Sequence, residues 1–147
     1  MKEATEYLDA TEYLDRIKKI DLLIVNKLAE KARWFGIATN STSNMSGGER
    51  VQSSPDPHKK EEAWCEYSEA SKEYDACVIA YKLERDEIIR TIEKLPADEY
   101  DLLYNVYAQY KSLKEYAVDS GKAYSTVTTH HKNAREHLQE ILDARKS

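Results

Sequence analysis

Glycine and proline are scarce in this chain, four and three among 147 residues. Both interrupt helices, so most of the sequence is free to form uninterrupted helix. Long apolar runs are missing too. None approaches the roughly 20 residues that a membrane-spanning helix needs, so no membrane association is expected. The start, Met1-Lys2-Glu3-Ala4-Thr5-Glu6, is acidic and has no apolar signal core. No export signal is therefore expected, and the setting read from the sequence is cytoplasmic. Only two cysteines occur, Cys65 and Cys77, without a CxxC pair. Twelve residues apart on one straight helix, they lie about 18 Å apart along the axis and cannot bridge each other. A reducing compartment fits that usage. Asn40-Ser41-Thr42 and Asn44-Met45-Ser46 fit the glycosylation pattern by chance, given no secretion signal.

An excess of positive charge is also lacking. The net charge is −5, which speaks against a general polyanion binder. The distribution is uneven. Residues 1–95 hold 15 basic and 19 acidic side chains, whereas residues 110–147 hold seven basic and five acidic ones, a local balance of +2. Hydrophobic residues make up 41% and charged residues 33%. That mix suits helices around modest cores. Tyrosine, at eleven against one phenylalanine, can sit with its ring packed and its hydroxyl in water.

Residues 4–15 read Ala-Thr-Glu-Tyr-Leu-Asp twice. A period of six cannot keep both Tyr-Leu pairs on one helix face, so only the second copy is expected to join a helix. From Tyr13 to Phe35 the pattern is helical: Ile17, Ile20, Ile24, Leu28 and Ala32 recur at steps of three and four. Leu23 and Val25 widen this stripe, and Trp34 and Phe35 close the segment before Gly36. Residues 36–57 are rich in Ser, Thr, Asn, Gly and Pro and read as a long polar loop. A second helix is expected from His58 to Lys94, with Tyr67, Ala70, Tyr74, Cys77, Tyr81, Ile88 and Ile92 at helical spacing, continuing to Leu95. Two long helices around one loop make an antiparallel hairpin. Its stripes are thin, so it is expected to form a homo-oligomer through these N-terminal helices or to pack onto the C-terminal region. A monomeric three-helix packing is the other alternative.

Leu95-Pro96 marks a break, because proline is tolerated in a first helical turn and poorly inside one. Asp98 and Glu99 follow, where acidic groups suit a helix N-terminus. Tyr100, Leu103, Val106, Tyr107 and Tyr110 then form one apolar face. Ser112-Leu113-Lys114-Glu115 is a capping box. It starts a short helix, Leu113 to Ser120, that carries the small Ala117. Gly121 suits a left-handed turn at the end of that helix. A further helix begins near Tyr124, with Val127, His130, Ala134, Leu138, Ile141 and Leu142 at helical spacing. A short capped helix, a glycine turn and a second helix with a buried valine match a helix-turn-helix. The expected fold is all-α, a helical hairpin over residues 1–95 followed by a small helix-turn-helix domain over 96–147.

Leu95-Pro96-x-x-Glu99-Tyr100, Ser112-Leu113-x-Glu115-Tyr116-Ala117, Gly121, Tyr124-Ser125-x-Val127, Ala134 and Leu138 resemble the final DNA-binding region of sigma factors. The wider chain, from about residue 12, resembles the ArpU/RinA-type phage transcriptional regulators. That likeness rests on Tyr13-Leu14-Asp15-Arg16-Ile17, Ala32-Arg33-Trp34 and Gly47-Gly48-Glu49-Arg50-Val51-Gln52-Ser53-Ser54. The sequence departs from the sigma pattern in several places. Ala123 stands where a serine cap is preferred, at a typical cost of about 1 kcal/mol. Tyr110 replaces the usual turn glycine, Tyr116 an aliphatic core residue and His130 another, and Asn133 with Arg135 shifts the positive charges.

The resemblance implies a phage-encoded transcription regulator of the bacterial cytoplasm. It would bind double-stranded promoter DNA through the second helix of the motif, and activate late genes with host RNA polymerase. On a sigma-like pose Tyr124, Ser125, Thr126, Thr128, Thr129, Lys132 and Asn133 point outward, with Lys122 and Lys114 beside them. Ser and Thr can reach base edges or phosphates, Asn can bond adenine, and Tyr and Lys usually hold the backbone. A competing expectation is a protein-interaction module whose sigma-like domain touches polymerase or another regulator rather than DNA. A phage structural or packaging adaptor is the third.

Sharper chemistry finds little footing. His130 and His137 are seven residues apart, and His131 and His137 six, neither being the i, i+3 or i, i+4 spacing of a zinc helix. One packed and two exposed histidines are expected instead. Gly47-Gly48-Glu49-Arg50 lacks the lysine of a phosphate loop. Cys77, on the apolar stripe, reads as a structural thiol, and Glu84 and Glu87 beside Lys82 and Arg90 read as solvated helix surface. No enzyme activity, cofactor or metal is expected.

Overall fold

Helix α1, Ala10–Asn40, begins at a signal in the repeat boundary. Asp9 accepts from the Glu12 amide at 2.9 Å, and the Glu12 side chain accepts from the Asp9 amide at 3.3 Å. This reciprocal cap starts the helix before Tyr13. At its other end α1 runs through Gly36, where a stop was expected. One helical glycine costs only about 1 kcal/mol, and Thr39 beyond it returns a hydrogen bond to the Phe35 carbonyl at 2.8 Å.

A computed structural model describes residues 9–40 and 57–146. The first repeat copy up to Leu8, most of the expected polar loop and the Gly47–Ser54 stretch lie outside the described residues. Helix α2, Pro57–Ile92, starts on a proline at its first position. Then come α3, Ala97–Leu103, a π-helical turn, Tyr104–Ala108, α4, Leu113–Ser120, and α5, Tyr124–Lys146. The fold is all-α, with no strand among the described residues. None of these helices is long and apolar enough to cross a membrane.

The chain packs as two units, residues 1–21 with 83–147, and residues 22–82. A division at 95/96 was expected instead. In the first unit Ala10 and Leu14 of α1, Ile92 of α2 and Leu95 share one core with Leu103 of α3 and Ala134, Leu138 and Leu142 of α5. The base of the hairpin thus packs onto the C-terminal helices, and apolar area shared across 95/96 joins what the sequence separated. Each fully buried Leu or Ile here contributes roughly 1.5–3 kcal/mol. A second core holds Leu102, Tyr116, Ala117 and Val127, drawn from α3, α4 and α5. Leu102 and Leu103 are neighbours about 100° apart around α3, so this one short helix serves both cores.

Polar groups close the first core at its edge. Thr91 is fully buried and donates to the Glu87 carbonyl at 2.9 Å. Its hydroxyl also meets the Tyr13 hydroxyl at 2.9 Å and the Arg145 guanidinium, which lies 6.0 Å from the Tyr13 ring centre.

In both units α1 and α2 run antiparallel, as expected. Asp21 faces Arg85 at 2.7 Å and Tyr13 faces Thr91 in the first unit. In the second, Phe35 meets Trp64 and Tyr67, while Lys31 lies 2.8 Å from Asp75. Residue numbers fall along one helix as they rise along the other.

Candidate nucleic-acid interface

The geometry of the helix-turn-helix is set by its caps. Ser112, at φ −75°, accepts from the Glu115 amide at 3.1 Å, and Glu115 accepts from the Ser112 amide at 2.8 Å. The capping box read in the sequence is therefore present in full. At the other end of α4, Gly121 adopts φ 72°. Its amide donates to Val118 at 3.2 Å and the Lys122 amide to Ala117 at 3.0 Å, closing the helix in a Schellman-type turn. Ala123 precedes α5 and its carbonyl accepts from Val127 at 3.0 Å, so it occupies the cap position without a side chain able to cap. Ala117 and Val127 meet in the second core, and this contact fixes α4 against α5.

The segment before α4 departs from the expected single apolar face. The amide of Gln109 reaches back to Tyr104 at 3.0 Å, an i to i+5 bond that breaks the 3.6-residue period. Tyr100, Tyr104 and Tyr107 consequently pack on the first core and Val106 on the second. Tyr110 is left 51% exposed. It takes a left-handed φ of 62° where a sigma-like turn has glycine. This backbone conformation costs a non-glycine residue about 1–2 kcal/mol. The Tyr110 hydroxyl donates to Asp21, which also holds Arg85, and these bonds offset part of that cost. Tyr116, in place of an aliphatic residue, is buried but keeps its hydroxyl satisfied by donating to Asp101 at 2.7 Å. Burial and that bond push its phenol up to about 12.

All the outward residues read from the sequence are exposed, and several of them line separate depressions. Ser125, Thr126, Thr129 and Asn133 line one open depression with Lys122 and His130. Tyr124, 50% exposed, lies outside it, as does Thr128, whose hydroxyl donates to the Tyr124 carbonyl at 2.9 Å. Lys132 lines a different depression with Asp9, Thr11, Arg135 and Glu136. Lys114 lines a third with Lys111, Glu115, Val118 and Asp119. Lys111 is tied to Asp119 at 2.8 Å. Among the described residues no ion pair involves Lys114, Lys122 or Lys132, although Asp9 and Glu136 line the same depression as Lys132.

The histidines depart from expectation. Two are half-buried and one exposed, and each contacts the α3 or π segment. His130 places Nε2 3.2 Å from Asp98 and sits at the rim of the Ser125–Asn133 depression rather than in the core. Spacing alone hid it, because residue 130 lies at the edge of the buried stripe. His131 stacks on Tyr107 at 5.8 Å, with Nε2 2.9 Å from its hydroxyl. Burial, and then the Arg135 cation, hold its imidazole below the ordinary 6.5. His137 places Nδ1 2.7 Å from the buried Glu99 carboxylate, which raises it above 6.5. Arg135 is half-buried beside Lys132: its Nε is buried without a partner among the described residues, and Nη1 donates to Thr11 at 3.3 Å. Among the described residues no three His, Cys, Asp or Glu side chains cluster for a metal.

The arrangement offers a convex helix with hydroxyls, one amide and lysines along it. Comparison with protein-family models, with curated proteins and with solved structures finds no match.

Proposed function

We propose that this chain is a phage-type transcription regulator that binds double-stranded promoter DNA by laying α5 in the major groove. The observation that carries the reading is the turn between α4 and α5. A complete capping box, a left-handed Gly121 and the Ala117–Val127 contact leave Ser125, Thr126, Thr129 and Asn133 together on the open side, beside Lys122. A helix crossing of this kind presents the N-terminal part of its second helix to base edges. Asn133 is the residue for adenine, the hydroxyls bond either base edges or phosphates, and Lys114, Lys122 and Lys132 neutralise phosphates. Activation of late genes with host RNA polymerase is part of the same proposal.

Fluorescence anisotropy against DNA upstream of late phage genes, at low and high salt, tests it. Tight, sequence-dependent binding that weakens steeply with salt is expected. Lys132→Glu weakens binding to all sequences alike and lowers the salt slope by about 1 or more. An unchanged slope removes Lys132 from the interface.

One observation favours the reading in which this domain grips a protein. Val118 on α4 is 80% exposed, and Glu136, Glu140 and Asp143 follow the hydroxyl row along α5. Absence of DNA binding at low salt, with capture of polymerase, selects that reading.

A further inference from the structure

The second unit, residues 22–82, contains no buried hydrophobic side chain among its described residues. Yet Val25, Leu28 and Phe35 of α1 are 60%, 47% and 46% exposed. With Ala32 between them they recur at steps of three, four and three, the spacing of a coiled-coil seam. Small residues, Ala29 and Gly36, flank this seam, so another helix can approach closely. Trp64, 48% exposed, continues the patch from α2, with its ring centre 6.2 Å from that of Phe35. Ile79, 58% exposed, stands one helical turn beyond Asp75, the residue that holds Lys31.

We infer that this face docks a second copy of the chain, α1 of each hairpin lying on α2 of its partner in a four-helix arrangement. Charge selects the occupant. Leaving out Lys31 and Asp75, which satisfy each other within the hairpin, residues 22–40 hold two basic side chains and one acidic, a balance of +1, whereas residues 57–82 hold four basic and five acidic, a balance of −1. A two-fold arrangement sets the basic segment of one copy against the acidic segment of the other, twice over. Area agrees. A standard interface takes about 800 Å² from each partner, and the five half-exposed side chains, with the small residues and lysine stems between them, supply the apolar part of such an area. The association rests on the second unit alone and does not depend on DNA binding. Where the DNA reading also holds, the dimer carries two α5 helices and calls for an operator with two related half-sites.

Sedimentation equilibrium of the full chain without DNA tests the inference. A mass of twice 17.0 kDa is expected at high micromolar concentration. The double variant Val25→Glu/Leu28→Glu is expected to sediment as a monomer with its helical circular dichroism retained. Val118→Glu, on exposed surface of the other unit, is expected to remain a dimer. A wild-type chain that stays monomeric, a dimer that survives the double variant, or a Val118→Glu variant that also dissociates overturns the inference. Since no DNA is present, failure here leaves the anisotropy result standing by itself, and the converse holds as well.

Discussion

The two packing units are built from the same two long helices, yet they differ in what those helices enclose. In the first, α1 and α2 meet α3 and α5, and Leu14, Ile92, Leu103 and Leu138 are almost or wholly removed from water. In the second, the described residues of these helices meet through Phe35, Trp64, Tyr67 and the Lys31–Asp75 pair, and they bury no hydrophobic side chain. Two helices alone have one shared seam and cannot close around it. A third and fourth element are needed before apolar side chains leave water, and the first unit has them within the chain. Amphipathic pattern therefore specifies a helix but does not specify that its apolar face is covered.

Substitutions sharpen this contrast. The largest effect is expected at Leu138, which is fully buried. Leu138→Ala should lower stability by about 2–5 kcal/mol, read as a shift of the urea midpoint. Leu22→Ala, at a side chain 54% exposed in the second unit, should move it by no more than about 0.5 kcal/mol. Comparable losses at the two sites would erase the contrast.

Smaller effects lie in the caps of the helix-turn-helix. Gly121→Ala meets open space but inherits φ 72°, so a loss of about 1–2 kcal/mol is expected from backbone conformation alone. Ala123→Ser supplies the missing cap to α5 and should raise stability by about 1 kcal/mol. A lowered melting temperature in Ala123→Ser would mean that α5 starts elsewhere.

The smallest effect is the balance of two histidines. The His131 imidazole is held below 6.5, so its stabilising neutral state is complete above 6.5 and is lost as pH falls through the lowered value. The value of His137 is raised by Glu99, so its contribution is complete below 6.5 and is lost as pH rises through that raised value. His131→Gln should remove stability loss on the acid side, and His137→Gln should remove a loss on the neutral side. Urea midpoints measured across that range separate the two. If both variants change the same side, the assignment of partners is wrong.

Much of the architecture was legible in the sequence, for reasons that are local. The capping box at Ser112 and Glu115, the left-handed turn at Gly121 and the apolar row Val127, Ala134, Leu138 and Leu142 depend only on residues within a few positions of one another. Tyr110 was read as a substitute for a turn glycine, and it does take positive φ. The cap at Asp9 and Glu12 is equally local, set by two residues that straddle the boundary between the repeat copies. What was not legible depended on partners far along the chain. The i to i+5 turn at Tyr104–Ala108 distributes the tyrosines over two cores, and no periodicity at fixed spacing foretells it. Lys132 falls beside Glu136 and Asp9 because the start of α1 packs there.

The sequence by itself determined helical content, the hairpin and the turn between α4 and α5, because hydrogen bonding and capping act over one or two turns. Tertiary structure alone decided that the hairpin base belongs to the C-terminal unit, that His130 joins the hydroxyl face and that Arg135 bonds Thr11 of α1. It also decided that the seam of Val25, Leu28 and Phe35 stays open to water. Those outcomes depend on which apolar surfaces find each other across the chain, and side-chain spacing on a single helix carries no information about that choice.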